Sequence, residues 1–574
     1  MRLKVTKSKN AASLYVIKSV YNPKTKSNSS VIVEKLGTEK QLREKLNGED
    51  PYEWAKNYIK ELNEKEKLQQ RTVMLPFSQT KLLEKDKQLS FNGGYLFLQQ
   101  IYHKLGIDKI CKDISDRHDF DYDLNAILSR LVYSRILFPS SKLATAELSK
   151  KFLEQPDFKP HQIYRALSVL AQEADFIQKM IYKNSLKYVE RKTGIIYYDC
   201  TNYFFEIEEP DVDGDRQYGK SKENHPNPIV QMGLFMDGDG IPLAFNINPG
   251  NTNKQITLKP QEQKVVDDFG LSKFIVCTDA GLASASNRKF NDKGERAFIT
   301  TQSIKILKQF LKEWALEKTG WHLPEDKKTY DLSRIDKEAD YNKIFYKERW
   351  INENGLEQKL IVTFSLKYKE YQQKIRNGQI ERAQKAIDSN PSKLKKKNAN
   401  DYRRFINQQN CTNDGEIAEN KIYSIDTDRI AEEEQYDGFY AVCTNLADDA
   451  PAVVRINHRR WEIEECFRIM KSEFKARPVY LQRSDRIKAH FMTCFVALIL
   501  YRFLEKKLEE KYTCPQIIRT LEEMDFRQAA PEGYIPIYTR TDLTDALHEA
   551  FGFRTDYEII SNAQMKKIFK FTKK

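Results

Sequence analysis

From Gly194 to Asp279 four short apolar runs, GIIYYDC, IVQMGLFMD, IPLAFNI and KFIVCTD, are parted by turn signals such as DGDG. Runs this short, rich in β-branched and aromatic residues, read as buried strands. A helical stretch, QITLKPQEQKVVDDF, stands before the fourth run. Three strands, a helix and a strand define an α/β layer pattern, and no other part of the chain restricts the fold as much. Asp199 closes the apolar part of the first run and Asp279 that of the fourth. A carboxylate at the C-terminal end of a buried strand faces the crevice where open α/β sheets place ligands. An aspartate that merely starts a turn would look the same.

The texture on either side sets the domain expectations. Residues 1–75 open with nine basic and two acidic side chains in the first forty. SLYVIKSVYN and SSVIVEKLG read as strands around a lysine-bearing turn, either a DNA-contacting arm or an ordinary solvated hairpin. Residues 76–190 are helical. DLNAILSRLVYSRILF must stop before Pro139, Ser140 or Ser141 can cap the next helix, and HQIYRALSVLAQE follows Pro160. These helices could form a helix-turn-helix DNA reader, but plain helical pairs are common. Residues 191–304 form the first part of the core and 436–510 the second. Between them, 305–435 is polar and rich in tyrosine and lysine, with alternating runs such as KLIVTFSL and a basic run, KLKKKNANDYRR, at 393–404. That run is either a DNA-facing surface or a solvated segment. Residues 511–574 read as a helical tail.

Charge and cysteine content narrow the function classes. The net charge is +13, from 95 basic and 82 acidic residues, which suggests a polyanionic partner, nucleic acid first. The eight cysteines form no C-x-x-C pair, which fits reduced cytoplasmic thiols better than a disulfide framework or a zinc site. The start, MRLKVTKSKN, lacks the apolar core of a signal peptide. The longest apolar run, FMTCFVALILYRFL, falls short of the ~20 residues of a membrane span and contains Arg502, so a buried helix is expected.

The segment RRWEIEECFRIMK, Arg459 to Lys471, adds a third carboxylate. On one helix from Asn457, at about 100° per residue, Asn457, Arg460, Glu464, Arg468 and Lys471 share a narrow face. Ile463, Phe467, Met470 and Phe474 lie on the adjacent flank and would face the core. Glu462 and Glu465 point elsewhere. Periodicity thus singles out Glu464 among three glutamates. A ladder of exposed salt bridges would share this spacing at about 0.3–0.5 kcal/mol per pair. With Asp199 and Asp279 the alternative is three carboxylates converging on divalent metal, with cations around them to hold phosphate. GDRQYGKS, by contrast, matches the P-loop expression in form only: acidic EIEEPDVD precedes it and KENHPNPIV, with two prolines, bars the helix that phosphate binding needs.

Taken together these residues resemble the DDE transposases of bacterial insertion sequences, in the insertion-sequence-four-like group. That group has a Y-x2-R-x3-E-x6-K signature, and RWEIEECFRIMK supplies Arg460, Glu464 and Lys471 at its spacing, with Asn457 where the signature has tyrosine. DCTNYFFE resembles the first-aspartate motif and CTDAGLASASN the second. GKSKENHP resembles a G-x-S-K-[DE]-x-[RH]-P segment, PGNTN a G-N turn, and MKSEFKARPVY the residues after the signature.

The resemblance implies a ribonuclease-H-like core interrupted by a mostly β insertion, with a basic β-hairpin and helical region before it and a helical C-terminal tail. It implies a cytoplasmic, nucleoid-associated bacterial enzyme that binds the terminal inverted repeats of its element. Cut-and-paste transposition would proceed in a synaptic homodimer on double-stranded element ends and target DNA, through a hairpin intermediate. Asp199, Asp279 and Glu464 would hold two Mg²⁺ or Mn²⁺ ions, and Arg460, Lys471, Arg468 and Asn457 would contact DNA. A tryptophan of the insertion, Trp314, Trp321 or Trp350, could stack on a flipped base, though core packing suits each as well. A ribonuclease-H-like nuclease without strand transfer and an inactive DNA-binding descendant are the alternative outcomes.

Overall fold

The computed structural model describes residues 1–574 apart from 9–10, 23–26, 47–48, 70–72, 76, 224, 390–400 and 412–416. It divides into two units, Met1–Lys87 with Ala529–Glu532, and Gln88–Gln528 with Gly533–Lys574. The boundaries expected at 191 and 511 both fall inside the second unit.

In the first unit the two expected strands form, as Ala12–Asn22 and Ser27–Thr38, and a further strand, Arg2–Lys7, pairs antiparallel with the former. The turn between the two expected strands lies outside the described residues. Leu14, Leu42 and Ala55 form a small core of this unit.

The second unit is mixed α/β, built on one eight-stranded sheet. Its strands are β1 (Ile195–Phe204), β2 (Ile229–Asp237), β3 (Pro242–Pro249), β4 (Ile275–Thr278), β5 (Ala297–Gln302), β6 (Phe345–Glu353), β7 (Leu356–Phe364) and β8 (Phe439–Thr444). The order across the sheet is β6-β7-β8-β5-β4-β1-β2-β3. β1, β2 and β3 are antiparallel neighbours, β4 and β5 run parallel to β1, and β8, β7 and β6 continue antiparallel from β5. β2 is buried along its whole length and β1 nearly so, which is why their runs are apolar without alternation.

Five helices matter for the site: α1 (Leu124–Leu137), α2 (Pro160–Gln172), α3 (Ala450–His458), α4 (Trp461–Ser472) and α5 (Ser484–Lys507). The Asp123 side chain caps α1 by accepting from the Ala126 N–H at 2.9 Å, and α1 ends two residues before Pro139. Ser141 caps the helix that follows, Lys142–Leu148. α5 is apolar on every side because it is enclosed on every side. It is long and apolar enough by composition to cross a membrane, yet 94% of its most apolar window is buried inside this unit. One hydrophobic cluster joins it to α1, α2, α4, β1 and β2, so the helical region of 95–188 and the sheet share a core.

Three expectations need correction. The 305–435 segment is mixed strand and helix, as its own residues read, and not mostly β as the resemblance implies: it carries a 24-residue helix, Leu366–Ser389, and its strands β6 and β7 extend the main sheet. Of its basic run, 393–400 lies outside the described residues. The 511–574 tail is not purely helical, since Asp525–Ala529, Gly533–Pro536 and Ile560–Ser561 are strands. Finally, Asp199 does not end its strand, because β1 runs on to Phe204 against β2.

Candidate active site

The last point locates the site. β1 pairs in parallel with β4 only as far as Tyr198 against Thr278, while its antiparallel pairing with β2 continues through Thr201, Asn202 and Tyr203. Asp199 and Asp279 are each the next residue after that last parallel pair. They therefore stand at one level on neighbouring strands, Asp199 within β1 and Asp279 just past β4, where the parallel pairing of the two strands ends. A sheet interior cannot accept two unneutralised carboxylates, but an opening at the C-terminal end of parallel strands can.

The electrostatics agree with this placement. Asp199 is 5% exposed, and burial raises its pKa, with the charge of Asp279 adding to the rise. Lys222 and Lys254 oppose it. The Asp199 carboxylate accepts one backbone bond, from the Cys200 N–H at 2.7 Å. Oδ1 of Asp279 is buried with no hydrogen-bond partner among the described residues. A buried acceptor without a donor, beside a second carboxylate, is a donor set for a hard cation such as Mg²⁺ or Mn²⁺. Asp199 and Asp279 fit such an ion.

Two lysines close over this pair. Lys222 and Lys254 both donate to the Cys200 carbonyl, at 2.9 and 3.2 Å. Burial lowers the pKa of Lys222, and Asp199 works against that. Lys222 comes from GKSKENHP and Lys254 follows PGNTN. The two loops touch at glycines: a Cβ on Gly219 would overlap the Gly250 carbonyl. GDRQYGKS itself is a loop with no helix after it among the described residues before β2, as its flanks require.

The third carboxylate is on a helix that begins later than the periodicity from Asn457 predicts. α3 ends at His458 and α4 begins at Trp461, with Arg459 and Arg460 in a turn between them. Asn457 therefore belongs to α3. It is buried, donates to the Tyr440 hydroxyl at 2.8 Å and accepts from the Cys277 thiol at 3.7 Å. It does not share an open face with Glu464. Arg460 does lie between the parts of the site. Burial disfavours its charge, but the Tyr440 hydroxyl, Asp279 and Asp199 outweigh that and raise its pKa. Its Nη2 is 3.7 Å from Glu464 Oε1. The Glu464 side chain is 61% exposed, at the rim of the site.

The remaining cations divide. Lys471 is half-buried, its ammonium 3.1 Å from Glu223 of the GKSKENHP loop, and Arg477 holds the other Glu223 oxygen at 2.7 Å. Arg468 turns away to Glu465 at 2.5 Å and Glu473 at 3.6 Å, so only the Arg460–Glu464 half of the expected ladder exists. Trp321 is fully buried, Trp314 packs against the same cluster, and Trp350 is exposed on β6. The structure thus brings together Asp199, Asp279 and Arg460, with Glu464 beside them and Lys471 tied to the loop above. It does not draw the three carboxylates to coordination distance: among the described residues only Asp545, His548 and Asp556 place three such ligand atoms within 4.8 Å of one another.

Lys222, Lys254 and Tyr440 were not singled out in the sequence. For the lysines a signal existed, since both stand in or beside loops with family-like spacing. Tyr440 arrives from β8, far along the chain, and nothing in its neighbourhood marks it.

Comparison with known proteins follows the same lines. Residues 204–500 match the family described as Transposase DDE domain; the match begins beyond Asp199 and includes Asp279 and Glu464. No curated protein matches the chain. Among solved structures it is similar to a piggyBac transposase in a synaptic complex with hairpin DNA, at 8% identity and a TM-score of 0.36, covering 83% of this chain and 84% of that one. It is also similar to the Mos1 transposase in a paired-end complex with the left transposon end, at 11% identity and a TM-score of 0.14, covering 30% and 58%.

Proposed function

The chain belongs to the DDE transposase family, and from that premise we propose that it binds the terminal inverted repeats of its own insertion sequence and moves that element by cut-and-paste. Strand cleavage would be followed by attack of the freed 3′-hydroxyl on the opposite strand, giving a hairpin end, and then by joining to target DNA. Within the family we place it in the insertion-sequence-four-like group, on the Arg460, Glu464 and Lys471 spacing. A ribonuclease-H-like core is supported by the strand order β3-β2-β1-β4-β5, three antiparallel strands followed by two parallel ones.

The observation that carries the reading is the shared level of Asp199 and Asp279 where β1 and β4 part. Together with Glu464 they would hold two divalent ions, Mg²⁺ or Mn²⁺, which when bound supply Lewis acidity for in-line displacement at phosphorus. The chain's own groups do the rest. Arg460, between the aspartates and Glu464, is placed to neutralise charge on the scissile phosphate. Lys222 and Lys254 hold the loops over Asp199 and limit water at the buried carboxylate. Lys471, fixed by Glu223, adds positive charge on the side where DNA would enter. The unit acting on paired ends would be a homodimer in the bacterial cytoplasm.

The test is a cleavage and joining assay on duplexes taken from the DNA flanking the coding region. Mg²⁺-dependent nicking at the element boundary, followed by joined product, is expected. Asp279→Asn should lower both steps by at least about 10³-fold. Cleavage without joining would replace transposition by a plain nuclease, and metal-independent or absent cleavage would sink the reading.

A further inference from the structure

Away from the carboxylates, a cavity of about 330 Å³ lies between the C-terminal end of α1, the start of α2 and the segment after α4. Its walls include Arg135, Lys142, Tyr164, Lys475, Arg477 and His490. Among the described residues no carboxylate lines it. Lys142 is 5% exposed, and its ammonium is buried with no hydrogen-bond partner among the described residues. The Nε atoms of Arg135 and Arg477 are likewise without one. Arg135 spends its other nitrogens on the carbonyls of Phe474 and Ser140, both at 3.1 Å. His490 is aimed at the Ala476 carbonyl at 3.1 Å, and burial beside Lys142 and Arg135 holds its pKa well below the ordinary range, so it stays neutral.

Buried cations are normally paired, and an ammonium enclosed with other cations and no anion is costly. Burial, with Arg135 next to it, brings the Lys142 pKa down to about 7. A bound anion would remove that cost. The cavity shares Tyr164 with a second recess of about 460 Å³, lined by His161, Arg165, Arg483 and Arg486, in which Asp121 holds Arg165 at 3.2 Å and Asp485 holds Arg483 at 2.9 Å, leaving Arg486 for a ligand. There too the Nε of Arg486 is buried without a partner. Two adjoining recesses that both present unsatisfied cationic donors suit a polyanion with repeated charges better than a single small anion.

We propose that these two recesses form a channel for the phosphates of one DNA strand, with Lys142 holding a phosphate in the inner recess and Arg486 one in the outer. The proposal rests on the transposase reading for the identity of the polymer, but the phosphate chemistry stands on the cavity. Arg477 connects it to the catalytic centre, because it lines the inner recess and shares Glu223 with Lys471. Phosphodiester backbone and free inorganic phosphate would both satisfy Lys142, so the test has an arm for each.

Lys142→Met keeps the length of the side chain and removes its charge. In a buffer with Ca²⁺ in place of Mg²⁺, its affinity for a labelled flanking-DNA duplex at pH 7 should fall about tenfold, the effect of one charge-assisted bond. The slope of log K against log salt should become shallower by about one. Arg486→Met should do the same in a smaller degree. Without DNA, Lys142→Met should melt higher than the wild type, whereas a merely structural lysine would melt lower on removal. Inorganic phosphate should raise the melting temperature of the wild type, against chloride at equal ionic strength, and not that of Lys142→Met. Unchanged DNA affinity and salt slope in a variant that no longer responds to phosphate would overturn the strand channel. Loss of neither response would overturn the phosphate site. A wild type that responds to phosphate through Lys142 but binds no DNA would bring down the transposase reading and the strand assignment, and leave the phosphate site standing.

Discussion

Glu464→Gln is expected to reduce Mg²⁺-dependent cleavage by at least about 10³-fold and to leave folding and end binding close to wild type. The side chain is mostly exposed and its ion pair with Arg460, at 3.7 Å, is long, so the amide costs little stability. What it removes is the anionic oxygen that a hard cation needs. Glu465→Gln is the internal comparison. Glu465 pairs with Arg468 on the far side of α4, and losing such a pair costs less than about 1 kcal/mol and no chemistry. The measurement is single-turnover cleavage of a flanking-DNA substrate, with binding followed in Ca²⁺. Cleavage retained by Glu464→Gln, or equal losses at both positions, would remove Glu464 from the site.

The third glutamate of α4 predicts a loss of a different kind. Glu462 is 8% exposed, its carboxylate 2.8 Å from Arg459 and 3.2 Å from Arg502 of α5. Arg502 is buried, held also by Glu505 and by the Gly240 carbonyl at 2.9 Å. Glu462→Ala strips one charge from a buried network and leaves the guanidinium partly uncompensated, which costs about 3–5 kcal/mol. Urea unfolding of the second unit should therefore shift to lower midpoint with metal and DNA absent. Glu462→Gln, which can still accept from Arg459 and Arg502, should lose less than Glu462→Ala. A midpoint unchanged by Glu462→Ala would show that this network adds nothing to the α4–α5 contact.

These contrasting fates mark how far the sequence could be read. Strands β1 to β4 were legible because each holds a short apolar run, but that β1 runs on past Asp199, and that Asp199 stands level with Asp279, depends on how β1 pairs with β2 and β4. The buried side of α4 was legible because Ile463, Phe467 and Met470 fix it wherever the helix begins. The start of α4 was not. Arg459 and Arg460 keep near-helical backbone angles, φ −66° and −58°, and neither glycine nor proline announces the break. Asn457 therefore seemed to continue a face that it lies behind. Neighbours in the sheet were hidden for another reason. KLIVTFSL shows that β7 is a strand, but alternation does not say which edge a strand joins. Lys222 and Lys254 are ordinary loop lysines until two glycines let their loops meet.

The way β1 parts from β4 also sets how this enzyme can vary. Strands alternate faces with a period of two, so a single-residue insertion or deletion within either strand would carry one aspartate to the opposite side while the other stayed. No substitution nearby could compensate, because the two acids derive their proximity from alignment and not from each other. If the two aspartates act as proposed, chain length between Ile195 and Asp199, and between Ile275 and Asp279, is itself under functional constraint.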